Sequence, residues 1–299
     1  MKLNARTIEK YFDGVSPKEL QKFQDFLAIH PLKHTRFKGK SISYLCCGKG
    51  DKTMLTFSGG HSGPWSIYGS VKGFEKDFRM VVVDFSSCDN LDDFSACVNH
   101  VVELENIDKV CVTGQSLTGI FAQAYFRRNM DRVEAMVLTN TLAPKRERNR
   151  KWALVLFRIL PFFLLKPLLK RSLARLGKIE ADVPPEVEER LAFRVALLRH
   201  DLDRMASKRS LLDLLGMLFE FNEKDASPIG DFDQWPGKVL IVTSEDEPYR
   251  EDVDMLMDLY PHSQIFSFPA GFRHAAPLIQ MEKFQNLIKD FLLKSRPSS

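Results

Sequence analysis

The apolar, β-branched run Val110-Cys-Val-Thr113 is followed at once by Gly114. Ser116 comes next, and then an amphipathic pattern built on Ile120, Phe121, Ala124 and Tyr125. A buried strand that turns into a helix within a few residues belongs to a sheet whose connections are helical, since parallel strands need crossovers. The pattern recurs. Thr53–Phe57, Met80–Asp84, Ala135–Thr139, Lys238–Thr243 and Gln264–Phe268 read as short buried strands, and Leu91–Asn106 reads as an amphipathic helix between two of them. The expected fold class is therefore α/β, a mostly parallel central sheet flanked by helices. Thr35–Cys46 alternates like an opening strand pair that turns at Lys38-Gly-Lys40. Before it, residues 1–34 form a helical extension. There Ser16-Pro-Lys-Glu19 predicts a capping box, with Pro at the first helical position of a helix that runs to about His30.

A serine on a tight strand-to-helix turn sits in a strained backbone conformation. Gly114 and Gly119 allow such a turn to close, and the hydroxyl then projects beside the start of a helix, where negative charge is favoured. A nucleophile needs a base, the base an orienting acid, and the oxyanion backbone donors. The chain offers candidates for each. Ser58-Gly-Gly-His-Ser-Gly63 follows a strand, and its glycines let the backbone approach a substrate. Pro269-Ala-Gly-Phe-Arg-His274 follows the last predicted strand and precedes a closing helix. Ser244-Glu-Asp-Glu-Pro248 follows the strand before it.

In these segments the chain resembles the α/β-hydrolase superfamily. The resemblance implies a nucleophile elbow at Ser116 in the form Gly-Gln-Ser-Leu-Thr-Gly, where Thr118 stands at the fifth position of G-x-S-x-G and the glycine is displaced to 119. His274 matches the base, with Phe284, ten positions on, as the helix anchor. The acid falls on Glu247 or Asp246. Glu247 is favoured by its spacing from the strand end, although Ser244 stands where a Gly usually ends that strand. The superfamily's other acid site holds Asn140, which is not an acid. In the loop after the third predicted strand, Gly59 replaces the usual His, and Gly60 matches the Gly. His61 and Leu117 would bind the oxyanion through their N–H groups, and Gln115 beside the serine is a further candidate lining residue. These parts imply a serine hydrolase that cleaves an ester-type bond (carboxylic ester, thioester or lactone) through an acyl-enzyme, with no cofactor. The competing class is a non-catalytic binding or adaptor protein on the same fold. The compact elbow, the cap position and the N-terminal extension are similar to maspardin-like members, and Thr118 and the ambiguous acid favour that reading.

Residues 143–234 interrupt the alternation of strand and helix. They carry many leucines and several helix signals, and in the superfamily this position holds a cap over the site. Expected boundaries are therefore an extension at 1–34, a core at 35–142 and 235–299, and a cap at 143–234. From Lys145 to Lys178 there are eleven Lys or Arg and one acid, Glu147, whereas the whole chain has a net charge of +4. This basic stretch encloses the apolar segment Trp152–Leu169, interrupted by Arg158, Lys166 and two prolines, which argues against a membrane span. Basic flanks around an apolar, aromatic segment suit an interfacial helix or an acyl-chain pocket. They equally suit a cap helix with a solvated basic face. A hydrophobic small-molecule substrate follows from the apolar cap, and peripheral membrane contact through 145–178 follows from its charge. Nucleic-acid binding is not expected, because one basic stretch comes with no recognised motif.

The five cysteines, 46, 47, 88, 97 and 111, are odd in number and form no C-x-x-C. Together with an N-terminus that lacks a signal-like apolar run, they predict reduced thiols and a cytoplasmic location. No HExxH metal motif is present.

Overall fold

The computed structural model describes residues 4–59, 62–148, 151–176, 183–226 and 232–294. Two helices open the chain, α1 (Ala5–Tyr11) and α2 (Pro17–Ile29). A hairpin follows, β1 (Lys33–Phe37) and β2 (Lys40–Cys47), closed by Lys38 and Gly39 at φ 48° and 78°. Two positive-φ residues in a two-residue turn match the right-handed twist of the strands they join. The chain then alternates: β3 (Thr53–Ser58), α3 (Tyr68–Phe74), β4 (Arg79–Asp84), α4 (Leu91–Leu104), β5 (Val110–Gln115), α5 (Leu117–Arg128) and β6 (Val133–Thr139). Four helices come next, α6 (Lys151–Ile159), α7 (Phe162–Leu176), α8 (Pro185–Met205) and α9 (Lys208–Lys224). The chain closes with β7 (Lys238–Ser244), α10 (Glu251–Leu259), β8 (Gln264–Phe268), α11 (Ala276–Ile279) and α12 (Met281–Leu293).

The eight strands form one sheet in the order β1-β2-β4-β3-β5-β6-β7-β8. Only β1–β2 and β2–β4 pair antiparallel; the other strands run parallel. Parallel strands covered on both faces read as continuous apolar runs, and every residue of β3 is buried. One face carries Phe57, Phe85, Phe94 and Phe121, and the opposite face carries Phe12, Phe23, Phe26 and Phe193. Each such side chain contributes about 2 kcal/mol by leaving water. The N-terminal helices thus complete the second core face, where α1 and α2 meet α8.

The sheet grows outward from β3 in both directions, to β4 on one side and β5 on the other. A crevice opens at the carboxyl ends of two strands wherever connections leave in opposite directions. The loop after β3 and the turn after β5 flank that point.

One local expectation is corrected. Ser16 precedes α2 as expected, and Pro17 opens it, but the Ser16 side chain makes no capping hydrogen bond. Glu19 is instead drawn into the core, where it accepts from the Tyr68 hydroxyl (3.1 Å) and pairs with Lys22. A carboxylate held by tertiary partners is not free to turn back to the Ser16 N–H.

Candidate active site

Ser116 links the last residue of β5 to the first of α5, at φ 54° and ψ −122°. A non-glycine residue in that region costs on the order of 1–3 kcal/mol and persists only where its neighbours enforce it. The neighbours here are specific. Ser116 N–H donates to the Thr139 carbonyl (2.9 Å), and the Thr141 hydroxyl donates to the Ser116 carbonyl (2.7 Å). The Thr118 hydroxyl accepts from the Gln115 N–H and donates to the Gln115 carbonyl, both at 2.9 Å. Thr118, the departure from the usual motif, is therefore a clasp across the turn. The glycines are dictated by space. A Cβ on Gly114 would lie 2.4 Å from the Thr118 carbonyl oxygen, and one on Gly119 would lie 2.5 Å from the Thr141 side chain. Leu117 N–H is the first of α5, among the donors that a helix leaves unpaired at its start. Gln115 ends β5 opposite Thr139 and is half-buried.

The loop after β8 brings in His274. Its Nδ1 lies 2.9 Å from Glu247 Oε1. Glu247 is buried, and its other carboxylate oxygen has no hydrogen-bond partner among the described residues. Asp246 faces the same loop differently. Its carboxylate accepts the N–H groups of Gly271 (2.7 Å) and Arg273 (3.0 Å), while Glu245 accepts that of Ala270 (3.1 Å). Adjacent carboxylates thus divide between the imidazole and the backbone that carries it. Arg273, at φ 48°, is fixed further by the Ser244 hydroxyl, which donates to its carbonyl (2.9 Å). The ring of Tyr249 stands edge-on to His274, with centroids 6.1 Å apart.

Asn140 connects the two turns. It follows Thr139, the acceptor of Ser116 N–H, and its amide donates to the His274 carbonyl (3.3 Å). It is buried and stands at φ 42°, a conformation that asparagine tolerates better than most residues. The sequence offered it only as a missing acid; its tethering role depends on a partner 134 residues away. Ser116 Oγ itself makes no hydrogen bond to another described residue, and such contacts often tighten only around substrate.

Gly60 and His61 lie outside the described residues. On either side of them the loop is anchored. Gly59, at φ 146°, lies against the Phe85 ring, which a Cβ there would meet at 2.8 Å. Beyond them, Trp65 Nε1 donates to the Asp201 carboxylate at 3.0 and 3.3 Å, and the Gly63 N–H donates to it as well. Asp201 comes from α8, is buried, and meets His200 Nδ1 at 2.8 Å. Burial raises its pKa against the pull of His200, Trp65 and Gly63. Burial likewise pushes Asp84, at the end of β4, up to about 6, and the nearby Asp201 charge adds to the rise. Two carboxylates behind one loop had no signal in the sequence: each stands alone in a helical or strand pattern.

Among the described residues two clusters have the composition of a metal site, His30 with Cys47 and Glu75, and Cys88 with Asp93 and Cys97. Both have internal partners. His30 Nε2 meets Glu75 at 2.9 Å, and Asp93 meets Lys40 at 2.8 Å. Neither includes a residue of the Ser116–His274 neighbourhood.

No protein-family model and no curated protein sequence matches the chain. Solved structures do. An alpha/beta hydrolase fold protein from Chitinophaga pinensis superposes with a TM-score of 0.65 at 14% identity, over 90% of this chain and 99% of that one. Carboxylesterase CesB from Bacillus subtilis gives 0.61 at 15% identity, over 92% and 97%. The enol-lactonase from Burkholderia xenovorans gives 0.63 at 16% identity, over 88% and 100%. Identities this low speak to architecture, and nearly the whole of each chain is included. The eight-stranded, mostly parallel sheet with helices on both faces is the architecture these superpositions share: the chain has the α/β-hydrolase fold.

Proposed function

We propose that this protein is a serine hydrolase that cleaves an ester-type bond of a small hydrophobic substrate through an acyl-enzyme. The observation that carries the reading is the conformation of Ser116, φ 54° and ψ −122°, on a turn tethered through Asn140 to a histidine whose Nδ1 meets a buried glutamate at 2.9 Å. Strain of this kind exposes a side chain at the carboxyl end of a sheet and has no evident packing benefit. In the proposed reaction the Ser116 oxygen attacks the substrate carbonyl carbon as its proton passes to His274 Nε2. Glu247 holds Nδ1–H and stabilises the imidazolium. The leaving alcohol, thiol or enol takes that proton, and water, deprotonated by His274, then releases the acid and regenerates Ser116. The N–H groups of Leu117 and His61 are assigned to the oxyanion, with Gly60 allowing close approach and Gln115 lining the site. Residues 143–234 are assigned as a cap that supplies the apolar walls. This chemistry asks for no cofactor.

A fluorophosphonate probe tests the reading, because it reacts only with an activated serine. Wild type should label and hydrolyse a short p-nitrophenyl ester, and Ser116→Ala should do neither while keeping its circular dichroism spectrum. Wild-type protein that is folded yet inert to probe and ester would transfer the assignment to a binding or adaptor protein on this fold.

A further inference from the structure

The helices between β6 and β7 turn an apolar face to the outside. In α6, Trp152, Val155, Leu156 and Ile159 recur at i, i+3, i+4 and i+7, the spacing of one helix face. Such a stripe ordinarily faces a core. Here the four side chains are 61%, 53%, 44% and 72% exposed. The stripe continues beyond Pro161 to Phe163 and Leu164, 70% and 48% exposed. Six of the twelve large apolar side chains that are exposed among the described residues therefore fall in one helix–turn–helix tip. A contiguous patch of this kind marks an interaction surface, whereas scattered exposed leucines do not.

Charge identifies the partner. Between Lys145 and Lys178 the chain carries eleven cations and one acid. Some are neutralised internally: Lys166 and Lys170 pair with Asp203 at 3.0 and 2.8 Å, and Arg148 with Asp252 at 2.6 Å. Arg158, on α6 itself, is exposed, as are Arg146 before that helix and Arg171 further along α7. The Lys208 amine donates to the Arg158 carbonyl (2.6 Å), which brings the start of α9 to the same place. Arg209 beside it is 82% exposed, with Asp89 and Asp213 at 3.7 and 3.6 Å. An apolar stripe rimmed by arginine and lysine fits a surface that is apolar within and anionic at its face. A second copy of this chain fits poorly, since a symmetric contact would set two such basic segments against each other.

We propose that α6 and the first turn of α7 form an interfacial anchor that seats on an anionic lipid bilayer. The apolar stripe enters the acyl region, and the cations sit at headgroup level. The element lies in the interface and does not span it. A helix of nine residues is about 13 Å long, against roughly 30 Å of hydrocarbon. No helix among the described residues is long and apolar enough to cross a membrane. The proposal stands apart from the hydrolase reading, because it uses neither Ser116 nor His274.

The test is co-sedimentation of the full chain with vesicles of phosphatidylcholine alone or mixed with phosphatidylglycerol. Wild type should bind the anionic vesicles about tenfold or more better than the neutral ones, and high salt should weaken the difference. The chain's tryptophan emission, of whose three sources Trp152 is 61% exposed, should shift to the blue on binding and be partly quenched by brominated lipid. The double variant Ile159→Glu/Phe163→Glu should lose about tenfold or more of the binding with an unchanged Tm. Arg158→Glu/Arg171→Glu should reduce anionic binding to the neutral level. Wild type that ignores both vesicles overturns the proposal. So does a wild-type dimer that Ile159→Glu/Phe163→Glu dissolves, which would make the stripe an interface between copies of this chain.

Discussion

Two histidine–carboxylate pairs in this molecule have nearly the same geometry. His274 Nδ1 lies 2.9 Å from Glu247, and His200 Nδ1 lies 2.8 Å from Asp201. Their surroundings differ. His200 is 5% exposed, boxed in by the rings of Tyr11 and Phe12 at 5.1 and 6.2 Å. Asp201 also receives Trp65 and Gly63, so its acceptor capacity is taken up in holding one loop. His274 is 24% exposed, on a loop tethered to the strained serine, and the Glu247 carboxylate has no hydrogen-bond partner but the imidazole among the described residues. A carboxylate with several fixed donors resists any change in its surroundings. One bonded to a single imidazole can respond when that ring gains a proton. Acid–histidine contact alone is therefore no sign of catalysis; what else each partner holds decides the matter.

The largest expected effect lies at the exposed pair. Ser116→Ala should lower ester turnover by ~10⁴-fold or more. The neighbouring acids should then separate. Glu247→Gln leaves the shape but removes the charge opposite His274, and turnover should fall by ~10³- to 10⁴-fold, with little change in Tm. Asp246→Asn should act in the opposite proportion. It weakens two charge-assisted bonds to the backbone of the His274 loop, so Tm should fall measurably while turnover drops about tenfold or less. Steady-state kinetics and thermal melts on the same preparations check both. The reverse ranking would move the orienting role to Asp246.

The buried pair should behave as structure. Asp201→Ala leaves His200, Trp65 and the Gly63 N–H without their acceptor, and stability should fall by about 3 kcal/mol. Turnover per folded molecule should fall less than in Glu247→Gln, because the loop that Asp201 anchors carries one of the two proposed oxyanion donors, His61, and loss of one such donor costs about 10²- to 10³-fold at most. If Asp201→Ala instead melts like wild type and loses activity as Glu247→Gln does, the distinction between the pairs fails.

Much of the comparison was legible beforehand on one side and none of it on the other. Ser116, Glu247 and His274 each follow a short apolar strand, and strand ends are marked by composition. The turn at Gly114–Gly119 could be read because sterics there allow few residue types. Asn140, Thr141 and Thr118 could not, since their partners depend on which strands lie side by side. The order β4-β3-β5-β6 is a product of tertiary pairing. His200 and Asp201 sit in the middle of a 21-residue helix, where a buried acid looks like any other polar position. The stripe from Trp152 to Ile159 shows the same limit from the other side. The sequence marked Trp152–Leu169 as an apolar segment with basic flanks, but not which way α6 turns its apolar face.

The smallest effect concerns the electrostatics behind the loop that the buried pair holds. Asp84 accepts from the Ser86 N–H at 2.8 Å, and burial pushes its pKa from 3.8 up to about 6, with Asp201 adding to the rise. In the unfolded chain it titrates near the ordinary value, so between about pH 4 and 6 the folded state binds more protons. Stability should then fall as pH rises through that window and level off above it, the reverse of a salt-bridged carboxylate. Asp84→Asn keeps an acceptor for Ser86 and removes the charge. At pH 8 it should stabilise the protein by about 1–2 kcal/mol and flatten its stability profile between pH 4 and 6. Urea unfolding at a series of pH values reads both effects. A variant less stable than wild type at pH 8 would mean that the Asp84 carboxylate, like Glu247, is there for a partner that only the charged form can hold.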